Sequence, residues 1–273
     1  MKIWHRIMFH STDKVYNDVL ALNIKHNILP IPGGNKMMFV EVSEDDPLWP
    51  KIKALTKENK SPDMYDTVFT NEEILAAEWN RLIPVFEQGY PQPEKNMEWE
   101  KETFKNTCIE CGLVFNQKAP FHLNKEPKMG KQSFLSLYWI YTLFCTFQVD
   151  EVLKTHGIEG YENYPVMINS VPSNLVSQII CKKTAKNGLD KQDMLNPEYC
   201  PKCGIVKYSY HNRGYMHYQE QSLWDDVDIQ LTNEWFGSGG NGGYREFIVS
   251  KRFTKLIIEN NWRGVKLKPI KLI

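Results

Sequence analysis

The sequence predicts an α+β protein, and three observations carry that prediction. Short apolar runs rich in aromatic and β-branched residues alternate with capped, amphipathic stretches. Clusters of Gly and Pro punctuate them. A strand–helix–strand pattern also occurs twice in the second part of the chain. The expected layout is an N-terminal α/β region over 1–100 and a C-terminal region over 101–273 with two related strand–helix–strand units. With 273 residues, 42% hydrophobic and 24% charged, the chain can bury a sizeable core, which excludes a disordered tail or a fibrous repeat.

In order, residues 2–9 read as a strand, and Thr12 or Asp13 as the cap of a helix reaching about Leu22. Pro30-Ile-Pro-Gly-Gly34 is a turn before a second strand over 37–42. Glu44-Asp-Asp-Pro47 opens a helix carrying Trp49, Ile52 and Leu55. Thr70-Asn-Glu-Glu73 is a capping-box pattern ahead of Ile74-Leu-Ala-Ala-Glu-Trp79, a helix expected to stop before Pro84. Residues 88–94, with two prolines, read as a linker, so the domain boundary is expected near 100.

Beyond it, Phe147-Gln-Val149 is a strand end, Asp150 a helix cap, Val152 and Leu153 a helix face, and Gly160 through Pro165 the exit and second strand. Phe247-Ile-Val249, Ser250, Phe253, Leu256, Ile257 and Gly264 through Pro269 repeat that order. A Cys-x-x-Cys-Gly precedes each copy, which suggests duplication of one module.

Composition narrows the function classes. Lys and Arg together number 33, as do Asp and Glu, so no global field recruits nucleic acid or an anionic membrane. The start, Met1-Lys-Ile-Trp-His-Arg6, runs into Ser11-Thr-Asp13 without a secretory apolar stretch. The greasiest segment, 134–149, is broken by Ser136, Thr142, Thr146 and Gln148 and falls short of the ~20 residues a spanning helix needs. A cytoplasmic protein is expected, and in that compartment the six cysteines read as thiols or metal ligands rather than disulfides.

Cys108-Ile-Glu-Cys111-Gly112 and Cys200-Pro-Lys-Cys203-Gly204 are the strongest local signal. Two intervening residues let a tight turn aim both sulfurs at one ion, and the following glycine can take positive φ. Cys108, Cys111, Cys200 and Cys203 are thus candidates for a closed, structural Zn2+ site. It would staple distant segments, unlike a compact zinc ribbon with a gap of about 15–20 residues. A redox pair or two metal-free pairs are the alternatives. Cys145 and Cys181, in or beside apolar runs, read as core residues. Lys182, Lys183 and Lys202 are candidates to offset the negative charge of a tetrathiolate zinc.

Two further clusters draw attention. In His211-Asn-Arg-Gly-Tyr-Met-His217, even spacing would put both imidazoles on one strand face, with Arg213 to hold an anion. The competing reading is a hairpin turning at Gly214. Trp235-Phe-Gly-Ser-Gly-Gly-Asn-Gly-Gly243 resembles a phosphate loop only in its five glycines, because a strand rather than a helix follows. It reads as a loop beside an aromatic contact patch. The basic stretch 251–273 reads as a solvated face.

The paired CxxCG motifs, each ahead of a strand–capped helix–Gly–strand–Pro segment, resemble the double-CXXCG motif proteins, several of which are immunity proteins of bacterial polymorphic toxin systems. The stretch from Ile248-Val-Ser250-Lys-Arg-Phe253 through Gly264-Val-Lys-Leu-Lys-Pro269 also resembles the carboxy-terminal segment of other immunity families. The resemblance covers about 108–273. It implies a non-catalytic, cytoplasmic protein that binds and neutralises a cognate toxin, with the four matching cysteines as metal ligands. The expected partner surface is Trp235, Phe236 and Tyr244 with the acidic cluster Asp225, Asp226 and Asp228, since tight inhibitors use aromatic anchors. The rivals are a zinc-containing hydrolase using His211, Arg213 and His217, and a zinc-ribbon nucleic-acid binder. Zero net charge disfavours the second rival.

Overall fold

The computed structural model describes residues 1–238 and 242–273 and is α+β. It divides into two compact units, Met1–Thr70 with Asn212–Gly214, and Asn71–His211 with Tyr215–Ile273.

The first unit comprises β1 (Lys2–His10), α1 (Tyr16–Ala21), β2 (His26–Pro30), β3 (Lys36–Ser43), α2 (Trp49–Asn59) and β4 (Asp63–Val68). Its strands form an antiparallel sheet in the order β2-β3-β1-β4. Alternation puts Ile7 and Phe9 on one face with Met38, Val40 and Val42, where they pack against Val15 and Val19 of the α1 segment and Trp49 and Ile52 of α2. The expected cap is corrected. Asp13 accepts the backbone N–H of His10 at 2.6 Å, and α1 starts three residues later without a side-chain cap.

The second unit comprises α3 (Asn71–Ala76), β5 (Trp79–Pro84), α4 (Glu98–Thr103), β6 (Phe104–Thr107), β7 (Val114–Gln117), β8 (Phe121–Leu123), β9 (Phe134–Leu137), β10 (Ile140–Thr146), α5 (Phe147–Thr155), β11 (Tyr161–Ile168) and β12 (Val171–Cys181). It continues with β13 (Glu198–Tyr199), β14 (Val206–Tyr208), β15 (Met216–Tyr218), β16 (Ile229–Leu231), β17 (Trp235–Phe236), β18 (Phe247–Ser250), α6 (Lys251–Glu259) and β19 (Val265–Leu272). Two expectations are corrected here. The helix over 74–79 ends at Ala76, and Trp79–Pro84 is a strand between β18 and β19. That pairing draws the chain from Asn71 onward, apart from Asn212–Gly214, into the second unit, so the division falls at 70 rather than near 100.

Two five-stranded sheets share one plan, β8-β11-β12-β10-β9 and β15-β19-β5-β18-β16. Each has an antiparallel centre and one parallel edge, β8 on β11 and β15 on β19. The match holds residue by residue. Gln178 pairs with Phe144 and Tyr164, as Arg81 pairs with Ile248 and Lys268. Helices α5 and α6 each have nine residues, and β11 and β19 each have eight. Pro165 and Pro269 occupy the same position, where each strand passes from its central partner to its parallel edge partner. The register differs from the sequence expectation in one respect. Thr146, not Asp150, precedes its helix as Ser250 does, and Asp150 lies inside α5 accepting a bond from Lys154.

The central strands are exchanged. β5, which leads the first CxxCG segment, sits in the sheet of the second, and β12, which leads the second, sits in the sheet of the first. Cross-contacts between the halves are reciprocal. The backbone N–H groups of Asp228 and Ile229 donate to Glu159, and those of Ser133 and Phe134 donate to Arg263. Gly160 and Gly264, at φ +99 and +98, lie directly against the carbonyls of Ile229 and Phe134, where a Cβ would collide with backbone oxygen. These contacts are reciprocal between the halves, as two copies of one module would make them.

Candidate metal centre

Each CxxCG folds into the same knuckle. The Cys108 N–H donates to the Leu113 carbonyl and the Gly112 N–H to that of Cys108, both at 2.8 Å. Cys200 donates to Ile205 and Gly204 to Cys200, both at 2.9 Å. Gly112 and Gly204 take φ of 68° and 74°, the left-handed conformation the turn requires. The flanking strands β6 and β7 pair on one side, and β13, β14 and β17 on the other.

The two knuckles bring all four sulfurs within 4.8 Å of one another. Equivalent sulfurs lie 3.8 Å apart for Cys108 and Cys200 and 3.6 Å apart for Cys111 and Cys203. A tetrahedron of thiolates about 2.3 Å from a central ion has edges of roughly 3.8 Å, so the cluster has the dimensions of a four-coordinate site. A disulfide would need about 2.05 Å, and all six cysteines are free. Leu113, Phe115, Ile205 and Trp235 pack around the sulfurs, of which Cys108, Cys111 and Cys200 are buried and Cys203 is partly buried.

The sulfurs differ in proton affinity. Backbone N–H groups of Cys111 and Glu110 point at the Cys108 sulfur and bring its thiol down to about 7 against the effect of burial. Burial pushes Cys111 up to about 12 and raises Cys203. Cys145 is fully buried and pushed up to about 12, and Cys181 is raised further, both by desolvation.

The glycine run belongs to this centre. Gly242, at φ +81, donates its N–H to the Cys111 carbonyl at 2.9 Å. A Cβ on Gly243 would strike the Phe236 carbonyl at 2.8 Å and Leu113 at 2.9 Å. The run is glycine-rich where backbone must press on a knuckle. Gly239, Gly240 and Asn241 lie outside the described residues. Among the lysines expected to offset thiolate charge, Lys182 and Lys202 are exposed and Lys183 pairs with Asp226. The lysine against the knuckle is Lys207, nearly inaccessible on β14, with its Nζ donating to the Gly242 carbonyl at 3.0 Å. Its place four residues past Cys203 was the available signal, but a lysine between Val206 and Tyr208 reads as the exposed side of a strand.

The histidine cluster is divided between the two units. Arg213 belongs to the first unit, where its guanidinium makes two 2.8 Å bonds to Glu44. His211 and His217 lie in the second unit, both on Asp193, at 3.0 and 3.1 Å. His211 is buried, and Arg81 donates to its carbonyl at 2.8 Å while making a two-pronged buried ion pair with Glu246.

The expected partner surface is also corrected. Phe236 is 0% exposed in the core of the second sheet. Trp235 is half-buried, edge-on to Phe115 and beneath Arg245, and Tyr244 stacks on Tyr141 at 4.1 Å. Asp228 is buried, bonded to Ser250 and Arg252 at the start of α6. Asp225 and Asp226 are exposed, the latter paired with Lys183. Strand pairing of β17 with β14 explains why the aromatics turn inward.

No family model matches this chain, and neither a curated protein nor a solved structure is found to be similar to it. No helix among the described residues is long and apolar enough to cross a membrane.

Proposed function

We propose that Cys108, Cys111, Cys200 and Cys203 hold one structural Zn2+, and that the chain binds and neutralises a cognate bacterial toxin. The observation that supports this reading most directly is the four-sulfur cluster, formed from the same two CxxCG motifs on which the resemblance to double-CXXCG immunity proteins rests. Borderline-soft zinc favours four thiolates in a closed tetrahedron, and a closed site leaves no position for substrate.

Two measurements test the two halves of this reading. Protein purified without added metal should carry one zinc per chain, and Cys200→Ser with Cys203→Ser should abolish it. Iron or no metal in the native protein overturns the assignment. For the toxin reading, cells expressing the neighbouring gene product should survive only when this chain is co-expressed, and the two proteins should co-purify. A harmless neighbour, or toxicity the chain cannot relieve, overturns it.

A further inference from the structure

Within the second unit a cleft of about 550 Å³ opens beside the metal centre, between β7, β10, the end of β12 and residues 243–247. Small-molecule sites commonly span about 300–1,000 Å³. Its wall is aromatic, with Tyr141 stacked on Tyr244 at 4.1 Å and on Phe247 at 5.6 Å, and Phe115 edge-on to Trp235 at 5.5 Å.

The cleft breaks the internal symmetry. In the second half, Arg81 and Glu246 fill the equivalent space with a buried ion pair beside His211. At the matching register positions the first half carries Gln178 and Thr142, both on the cleft wall. Gln178 exchanges amide bonds of 2.9 Å with Gln117 instead, and no charged pair closes the space.

Cys203 of the sulfur cluster lines the cleft, and Arg245 is the one cationic side chain among the described lining residues. Its guanidinium lies 4.7 Å from the Trp235 ring centroid and reaches Thr184 at 3.4 Å, and no carboxylate pairs with it among the described residues. Nearby Glu234 is engaged by the Tyr218 hydroxyl and the N–H groups of Gly188 and Leu189. Burial disfavours the charged form of Arg245, opposed by the nearby Glu234 charge. Among the described residues, the Nε–H of Arg245 and the Nε1–H of Trp235 are both buried without an acceptor. This wall therefore holds one cationic side chain and two orphan donors, beside the neutral side chains of Asn106, Asn116, Gln117, Gln178 and Thr142.

We propose that the cleft binds a small organic anion, a carboxylate carried on a flat aromatic body. The carboxylate takes the guanidinium fork of Arg245, and the ring lies along Tyr141, Tyr244 and Phe247. A change of rotamer turns the orphan N–H of Arg245 or Trp235 toward the same oxygens. This inference does not depend on the toxin reading.

The test is calorimetric titration of the full chain with 2-naphthoate and with its neutral counterpart, 2-naphthamide. Saturable one-to-one binding of 2-naphthoate is expected, with the amide weaker by about 10- to 100-fold for the lost charge-assisted bonds. Arg245→Gln should show the same loss. Trp235→Phe, which keeps a ring and removes the N–H, and Arg245→Lys, which keeps the charge and removes the fork, should fall between. Circular dichroism and metal content identify any variant that fails to fold, and the naphthoate-to-naphthamide comparison on the unaltered chain then still decides. Absence of saturable 2-naphthoate binding, equal affinity for the amide, or full affinity in folded Arg245→Gln overturns the proposal.

Discussion

Arg81, Glu246, His211, Asp193 and His217 form a continuous chain of charged and polar contacts inside the second unit. Burial first, then the neighbouring Arg81 charge, holds the His211 imidazole below its ordinary value, against the pull of Asp193 and Glu246. A base depressed in this way binds fewer protons folded than unfolded. Its contribution to stability is therefore complete above the unfolded value of about 6.5 and is lost as pH falls below it. Urea unfolding should show stability dropping from pH 7 to pH 5, with a shallower drop in His211→Gln. An unchanged slope in that variant would assign the effect to other histidines. This chain was invisible in the sequence because its members are far apart along it, with Arg81 and Glu246 separated by 165 positions. The cysteines were legible for the opposite reason, since each knuckle is complete within six residues and only the pairing of knuckles needed the fold.

At the level of elements, local chemistry determined what could be read. The unit β18–α6–β19 follows its sequence signals closely. The Ser250 hydroxyl accepts the Phe253 N–H at 3.2 Å, and Phe253, Leu256 and Ile257 are buried along one helix face. The counterpart cap at Thr146 makes no such bond, and Asp150 offered a better-looking cap four residues too late. β5 was hidden because Trp79–Pro84 follows a true helix start and owes its extended form to partners on both sides, which local propensity cannot register. The glycines separate close approach from backbone conformation. Gly157, at φ +59, has open space around its missing side chain, so Gly157→Ala should cost about 1 kcal/mol from strain alone. Gly160→Ala and Gly264→Ala add a collision with backbone oxygen of the other half, and each should cost several-fold more in denaturant unfolding. Equal costs at the three positions would mean that the cross-contacts between halves are loose.

At the scale of the second unit, the exchanged central strands determine how its parts depend on one another. The first sheet needs β12, and the second needs β5, which is drawn from ahead of the first knuckle. Each knuckle supplies two of the four sulfurs. A break in the Asn169-Ser170 turn, exposed and with φ of 48° and 71°, would leave every strand intact while giving each fragment the central strand of the other fragment's sheet. Fragment 170–273, and residues 71–169 of the other fragment, should lack cooperative unfolding and metal when each fragment is expressed alone, because both would expose unpaired strands on either side of a missing centre. Co-expressed, they should form a one-to-one complex that binds one metal ion through two cysteines from each. The complex should dissociate more readily in Cys108→Ser with Cys111→Ser, since the metal then no longer bridges the fragments. A stably folded fragment 170–273 alone would show that β18 and β19 do not require β5, and the exchange would then be a consequence of chain order rather than the device that binds the two modules together.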